Sequence, residues 1–137
     1  MMPEIRGVLE TSLYVSELER SRSFYTHLFG LRVLVEDDRL CALGVCGHQV
    51  LLLFLKGAIP SLATPGGTIP GHHGEGSLHV AFAIGRDDLD PWERRLQQEG
   101  IPVESRVQWP RGGKSVYLRD PDGHLIELAT PGLWAIY

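Results

Sequence analysis

Glu10 and His79 occupy equivalent positions in two copies of one sequence pattern. Residues 9–15 alternate apolar and polar side chains, and residues 78–84 repeat the alternation 69 positions later. Each copy leads into a helix-like segment that ends in glycine followed by an apolar residue. Carboxylate and imidazole groups both bind divalent metals, so their matching positions in a duplicated unit suggest a metal site built across the repeat.

One face of the predicted strands combines ionisable residues with small ones. Because strand side chains alternate between two faces, Glu10 shares a face with Ser12 and Tyr14, whereas the large aliphatic residues lie on the other face. The same parity places further residues on the polar face: His79, Ala81, Ala83, Ser115, Tyr117, Arg119, Leu125, Glu127 and Ala129. Small residues beside ionisable ones indicate a hollow rather than a packed core.

The first half of the chain predicts a β-α-β-β-β unit over residues 7–55. Ser16-Glu17-Leu18-Glu19 has the pattern of a capping box that opens a helix through about Phe29, and Gly30 supplies a left-handed cap. The predicted strands of this unit cover residues 8–15, 31–36, 39–45 and 49–55.

The second half, residues 77–132, predicts the same order of elements. Asp90 and Pro91 predict an N-cap followed by proline at the first helical position, and the helix closes at Gly100. The predicted strands of this unit cover residues 77–84, 102–107, 114–119 and 124–129. Between the units, residues 56–76 are predicted to be a Gly/Pro-rich loop. The expected fold is therefore α+β: a single domain over residues 1–137 with two repeat units forming a curved mixed sheet around a cavity, helices outside.

Bulk properties exclude several classes of function. The 137 residues carry a net charge of −4 with no basic cluster, which argues against nucleic acid or an anionic membrane surface as partner. The longest apolar run, residues 50–55, is too short to cross a bilayer, and no signal peptide is visible at the start. Cys41 and Cys46 are the only cysteines and predict buried thiols of a cytoplasmic protein.

The chain resembles the vicinal oxygen chelate superfamily, which groups glyoxalase I, bleomycin-resistance proteins, fosfomycin-resistance enzymes, methylmalonyl-CoA epimerase and extradiol dioxygenases. Three segments carry the resemblance, which spans roughly residues 7–132: residues 14–31 with their Phe24-Tyr25 pair and Phe29-Gly30-Leu31 end, the strand at residues 78–82, and the motif over residues 120–128. One such fold hosts many chemistries, so the resemblance specifies the superfamily rather than the reaction.

The resemblance implies one divalent metal ion, Mn²⁺, Fe²⁺, Ni²⁺, Co²⁺ or Zn²⁺, held by Glu10, His79 and Glu127. Glu10 departs from the family, in which many members have His or Gln at that position. Glyoxalase I adds a fourth ligand where this chain has Leu51, since the repeated Gly-His turns align Leu51 with Glu127. The site is therefore either a three-ligand centre with open positions or a centre that has lost its metal.

Several further side chains are candidates for binding substrate. Tyr14, Ser115 and Tyr117 face the predicted hollow and could bind substrate oxygens or simply line the cavity. Arg111 and Lys114 follow Trp109 in a loop near the predicted mouth, where they could clamp an anionic group.

The remaining histidines receive no functional assignment from the sequence. His72 and His73 are interpreted as part of a solvated loop or lid segment, and His27 as a surface residue. His48 and His124 follow glycine and are interpreted as turn residues.

Three functions remain open from the sequence. The first is a metal-dependent lyase or isomerase of glyoxalase type, in which Glu127 or Glu10 moves a proton on carbon through an enediolate-type intermediate. The second is an extradiol-type ring-cleaving dioxygenase that uses Fe²⁺, and the third is a non-catalytic drug- or metabolite-binding protein of bleomycin-resistance type. In each case a small molecule is the expected partner and a homodimer the expected assembly.

Overall fold

The computed structural model describes all 137 residues and divides them into two units, residues 1–75 and 76–137. Each unit contains one four-stranded mixed sheet and one α-helix, which confirms the predicted α+β class. No helix is long and apolar enough to cross a membrane.

The first unit forms a sheet in the order β1-β4-β3-β2, in which β1 and β4 are parallel and the other pairs are antiparallel. Its elements are β1 (Glu10–Val15), α1 (Leu18–Phe29), β2 (Arg32–Glu36), β3 (Leu40–Val45), β4 (Gln49–Leu55), β5 (Leu62–Thr64) and β6 (Gly67–Ile69). The helix α1 contacts β3 and β4, and Tyr25 and Leu28 of its inner face are buried. The strands bury Leu13, Val15 and Leu53 completely, and their removal from water stabilises the unit.

The second unit repeats this topology in the order β7-β10-β9-β8, again with one parallel pair, β7 and β10. Its elements are β7 (His79–Ala83), a short 3₁₀ turn (Arg86–Asp88), α2 (Leu89–Gln98), β8 (Ser105–Gln108), β9 (Lys114–Arg119) and β10 (Leu125–Ala129). Leu96 of α2 is fully buried, as are the aliphatic residues of β9 and β10: Val116, Leu118, Ile126 and Leu128.

Both predicted N-terminal caps are wrong, although the helices themselves form. The N-cap of α1 is Glu17, and its side chain makes no capping hydrogen bond. The helix α2 begins at Leu89 because the 3₁₀ turn before it continues into the helix, so Asp88 rather than Asp90 is its N-cap. Pro91 is still tolerated because it lies in the first turn, where backbone N–H groups have no partner within the helix. The predicted left-handed cap at Gly30 is confirmed, with φ of 69°.

The segment predicted as a Gly/Pro-rich loop contains a small hairpin. Strands β5 and β6 pair around a two-residue turn of Pro65 and Gly66, and Thr64 Oγ1 donates a hydrogen bond to the Gly67 carbonyl at 2.6 Å. The sequence offered no alternating run here because each strand has only three residues.

Candidate functional site

The His79 ring is fixed in one tautomer by its strand neighbour. His79 Nδ1 lies 2.9 Å from the carbonyl oxygen of Leu125, and a carbonyl oxygen only accepts. The proton of a neutral ring is therefore on Nδ1, which leaves the lone pair of Nε2 available. A backbone carbonyl that orients the second ring nitrogen is the usual arrangement behind a metal-ligating histidine.

Glu127 presents one carboxylate oxygen to this imidazole. Glu127 Oε1 lies 3.3 Å from His79 Nε2, and the carboxylate is almost completely buried whereas the His79 side chain is half exposed. Both atoms carry lone pairs, so their close approach is stable only when a proton or a cation stands between them.

The other carboxylate oxygen is held by two residues of the β8–β9 hairpin. Ser115 Oγ donates a hydrogen bond to Glu127 Oε2 at 2.5 Å, and Trp109 Nε1 donates one to Ser115 Oγ at 2.8 Å. Ser115 is 1% exposed, so this chain of hydrogen bonds operates away from bulk water. Its consequence is that Glu127 cannot rotate without breaking a buried hydrogen bond.

The spacing of His79 and Glu127 fits two ligands of one divalent ion. Metal–nitrogen and metal–oxygen bonds of about 2.1 Å place their two ligand atoms about 3.0 Å apart at a right angle and about 3.4 Å apart at a tetrahedral angle. The 3.3 Å between Nε2 and Oε1 falls between these values. One imidazole and one carboxylate suit the transition-metal ions expected from the sequence.

Tyr117 adds a hydroxyl donor beside this pair. Its ring centroid lies 6.4 Å from that of His79, and it is the cross-strand partner of Glu127. Burial, followed by the negative charge of Glu127 and a hydrogen bond to it, raises the pKa of the Tyr117 hydroxyl above 10.0. The hydroxyl therefore keeps its proton at neutral and mildly alkaline pH and acts as a hydrogen-bond donor.

The first unit contains a second polar group, formed by Tyr14 and His72. Tyr14 Oη lies 2.7 Å from His72 Nδ1, and the His72 ring packs edge-on against Phe54 with centroids 4.5 Å apart. Gly74 passes so close to the Tyr14 ring that a Cβ would lie 2.4 Å from it. The segment 71–75 thus forms a strap packed against β1 and β4, rather than the solvated loop that the sequence analysis favoured.

Arg111 and Lys114 occupy the hairpin loop and the strand that follows it. Both are exposed, and Lys114 begins β9 on the face opposite Ser115. There it lines a cavity of about 360 Å³ together with Arg86 and Asp87. The structure therefore does not bring Lys114 to the His79–Glu127 pair, and the role of both cations in binding an anion stays a prediction.

Glu10 is the first residue of β1 and is exposed. It belongs to the first unit, whereas His79 and Glu127 belong to the second. Within each unit, no cluster of three or more His, Cys, Asp or Glu side chains could hold a metal ion. Glu10 as the third ligand therefore stays a prediction.

The alignment of Leu51 with Glu127 is wrong by one position. Ser12 pairs with Leu52 in the first unit, and Ala81, which occupies the same place in the repeat, pairs with Glu127 in the second. Leu52 therefore corresponds to Glu127, while Leu51 points into the core and is 1% exposed. The equivalent position is apolar in either case.

His124 is a structural residue, as its position in a turn suggested. It is fully buried, its Nδ1 accepts a hydrogen bond from the Leu78 backbone N–H at 2.9 Å, and its own N–H donates to Asp120 Oδ1. Thus it joins the turn before β10 to the start of β7.

Sequence reasoning missed Trp109 and His72. A signal for Trp109 was present, because a half-buried indole needs an acceptor and a hairpin between β8 and β9 brings residue 109 close to Ser115. No comparable signal existed for His72, whose partner Tyr14 is 58 residues away.

Comparison with known proteins places this geometry in a family. Residues 7–128 match the model of the Glyoxalase/Bleomycin resistance protein/Dioxygenase superfamily. The chain belongs to this superfamily, as the resemblance indicated.

Individual relatives agree with the superfamily. The chain is 31% identical over 118 residues to the metallothiol transferase FosB of Lysinibacillus sphaericus, a match that covers 85% of this chain and 76% of the relative. It is also 31% identical over 129 residues to FosB of Shouchella clausii, covering 92% and 81%. Among solved structures, the lactoylglutathione lyase from Agrobacterium tumefaciens superposes with a TM-score of 0.88 at 32% identity, covering 97% of this chain and 99% of that one.

Proposed function

We propose that this protein is a metal-dependent lyase or isomerase of glyoxalase type that acts on a small substrate with two vicinal oxygens. The observation that carries the proposal is the 3.3 Å approach of His79 Nε2 and Glu127 Oε1, two groups that are each fixed by a separate hydrogen bond. Similarity to a lactoylglutathione lyase at 32% identity supports the reaction class.

The proposed metal ligands are His79, Glu127 and Glu10. The first two fit a divalent ion by their spacing, and Glu10 is included on the strength of the repeat. When bound, an ion of the series Mn²⁺, Fe²⁺, Ni²⁺, Co²⁺ and Zn²⁺ supplies Lewis-acid polarisation of substrate oxygens.

The chain's own residues supply proton transfer and orientation in this proposal. Glu127 or Glu10 takes a proton from one substrate carbon and returns it to the adjacent carbon. The protonated hydroxyl of Tyr117 donates a hydrogen bond to a substrate oxygen, a role also proposed for Tyr14. The cations Arg111 and Lys114 are proposed to attract an anionic group of the substrate.

Transfer of a thiol is the second candidate function. It is favoured by the two FosB relatives, whose name describes a metallothiol transferase, at 31% identity over most of this chain. The same metal pair serves this function, but the proton acceptor then activates a thiol rather than a carbon. The two candidates differ in whether a free thiol is consumed.

The protein is further proposed to act as a homodimer. Apolar side chains before β1 are largely exposed in a single chain, at 93% for Ile5, 72% for Val8 and 67% for Leu9. Contiguous exposed apolar surface of this kind is typical of an interface between protein chains. A mass near twice 15.2 kDa in light scattering is expected, and a monomer would contradict this part of the proposal.

Elemental analysis of protein purified without chelator tests the metal site. We expect about one divalent ion per chain, lost in His79→Ala and kept in the matched control His48→Ala, whose histidine is exposed in a turn. Absence of metal from the native protein, with no thermal shift on adding any of the five ions, would contradict the proposal in favour of a metal-free binding protein.

Substrate assays on the metal-loaded protein then separate the reactions. Isomerisation of a 2-oxoaldehyde–thiol adduct without net loss of thiol supports the first candidate. Consumption of free thiol with a panel of small electrophiles supports the second, and oxygen-dependent cleavage of a catechol with Fe²⁺ overturns both.

A further inference from the structure

Trp109 does not touch the proposed metal ligands, yet its hydrogen bond determines how one of them is held. The indole Nε1–H is a donor only, and the Ser115 hydroxyl has a single proton. Because Trp109 occupies Ser115 Oγ as an acceptor at 2.8 Å, the serine proton is free to point elsewhere, and the nearest acceptor is Glu127 Oε2 at 2.5 Å. The direction of both hydrogen bonds is thereby fixed from tryptophan to serine to carboxylate.

This direction has a consequence for the opposite edge of the carboxylate. With Oε2 of Glu127 held by Ser115, Oε1 is the oxygen that faces His79 Nε2. If the serine hydroxyl rotated away, the carboxylate would lose its anchor and could turn either oxygen out of line. Precise placement of a ligand by the residues behind it commonly changes metal affinity by about 10-fold to 100-fold.

The loop that carries Trp109 is itself held in place. Its backbone N–H donates to the Gly113 carbonyl at 2.8 Å, and Gly113 N–H donates to the Gly132 carbonyl at 3.1 Å. A Cβ on Gly113 would lie 2.6 Å from the Gly132 carbonyl carbon, so the two backbones touch with no room for a side chain. The indole is therefore presented from a loop with little freedom to shift.

We propose that Trp109 is a positioning residue of the metal site, which acts through Ser115 to fix the orientation of the Glu127 carboxylate. This inference rests on the proposed function in one respect, namely that His79 and Glu127 hold the metal. It assigns Trp109 a role that depends on its N–H group and on Ser115, not on the bulk of its ring.

A double-mutant cycle on metal affinity tests this role. We expect Trp109→Phe, which keeps an aromatic ring but removes the donor, to weaken Mn²⁺ binding about tenfold in calorimetric titration. In a Ser115→Ala background the same substitution is expected to cause no further loss. Trp134→Phe is the matched control, because Trp134 is 70% exposed, and it should bind Mn²⁺ like the native protein.

Two outcomes of the cycle would overturn the inference. One is an unchanged Mn²⁺ affinity in Trp109→Phe. The other is an equal loss with and without Ser115, since this would mean that the indole acts by packing alone. Thermal unfolding of each variant without metal accompanies the titration, because a purely structural residue would lower the unfolding midpoint without this dependence on Ser115.

A crystal structure of metal-free Trp109→Phe separates this inference from the proposed function. If the native protein binds no Mn²⁺ or other divalent ion, the proposed function fails and the crystal structure alone decides the positioning role. A Glu127 carboxylate that turns, so that Oε1 leaves its 3.3 Å contact with His79 Nε2, supports the inference. An unmoved Glu127 contradicts it.

Discussion

His79 Nδ1 lies 2.9 Å from the carbonyl oxygen of Leu125, the residue that pairs with His79 across the β7–β10 register. A strand neighbour thus orients the ring that faces Glu127, and the orientation follows from the parallel pairing itself. The imidazole requires no additional side chain to fix its tautomer, and the carboxylate has its own support from Ser115.

Replacement of Glu127 by glutamine removes the charge but keeps an oxygen that can accept from Ser115. We expect Glu127→Gln to fold, with an unfolding midpoint within a few degrees of native, and to lose both metal retention and turnover, because an amide oxygen is a much weaker ligand and no proton acceptor. Elemental analysis and the substrate assays check this. Turnover that persists in the variant would sink the proposed mechanism.

His124 and His79 are expected to respond oppositely to alanine substitution. His124→Ala leaves the Leu78 N–H without its acceptor and opens a cavity in a fully buried site, so the free energy of unfolding should fall by about 2–4 kcal/mol. Metal affinity of the folded fraction should not change. Denaturant unfolding and Mn²⁺ titration measure the two quantities.

A rescue variant sharpens the test of His124. His124→Asn places an oxygen near the position of Nδ1 and should recover part of the lost stability. If alanine and asparagine are equally destabilising, the hydrogen bond to Leu78 contributes nothing and packing alone explains the loss.

Gly74→Ala is expected to displace the strap from the Tyr14 ring. A Cβ at this position would lie 2.4 Å from the ring, and an overpacked contact of this kind costs about 1–3 kcal/mol. Hydrogen exchange of residues 71–75 should therefore become faster. Gly66→Ala is the matched control from the same segment, because its Cβ would meet only Thr64 Oγ1 at 3.9 Å. Equal exchange in both variants would show that the strap does not depend on this contact.

The two cysteines should differ in their reaction with a thiol reagent. Burial, and then the negative charge of Glu36, raise the pKa of the Cys41 thiol above 9.0, whereas Cys46 is exposed. We expect one thiol to react quickly at pH 8 and the other at least about tenfold more slowly until the protein unfolds. Cys46→Ser should remove the fast phase, and a fast phase that remains in this variant would contradict the assignment.

The raised pKa of Cys41 also predicts how stability depends on pH. The folded protein holds the thiol proton more tightly than the unfolded chain does, so this group lowers the free energy of unfolding as the pH rises above 9.0. Cys41→Ala should reduce the slope of stability between pH 8 and 10, as measured by denaturant unfolding. A slope equal to that of the native protein would contradict the direction of the shift.

The sequence predicted the elements well because their patterns are local. Alternation along β1 and β7 and the glycine after α1 are properties of short segments, and the structure has these elements within one to three residues of the predicted ends. The helix starts failed for the same reason. A capping pattern at Ser16 or Asp90 is only one of several ways to begin a helix, and the 3₁₀ turn before α2 shifted its start.

The site was predictable only as far as side-chain parity reaches. Parity brings His79 and Glu127 to one face, and the structure places them in contact. It gives no information on which atom of a ring or carboxylate faces which partner, so the roles of the Leu125 carbonyl and of Trp109 emerged from the structure alone. His72 reaches Tyr14 through an irregular segment that has no period to read.

The one-position offset between the two repeats determines how their hairpins could be exchanged. In the first unit Gly44 pairs with Val50, and in the second Arg119 pairs with Leu125, so these pairs are the equivalent crossover points. A chimera that joins the halves at the more conspicuous turn glycines, Gly47 and Gly123, would shift the following strand by one residue. Every side chain of the grafted strand would then face the wrong side of its sheet. Grafting at the paired strand residues instead would transplant a carboxylate to the place of Leu52 with the core undisturbed.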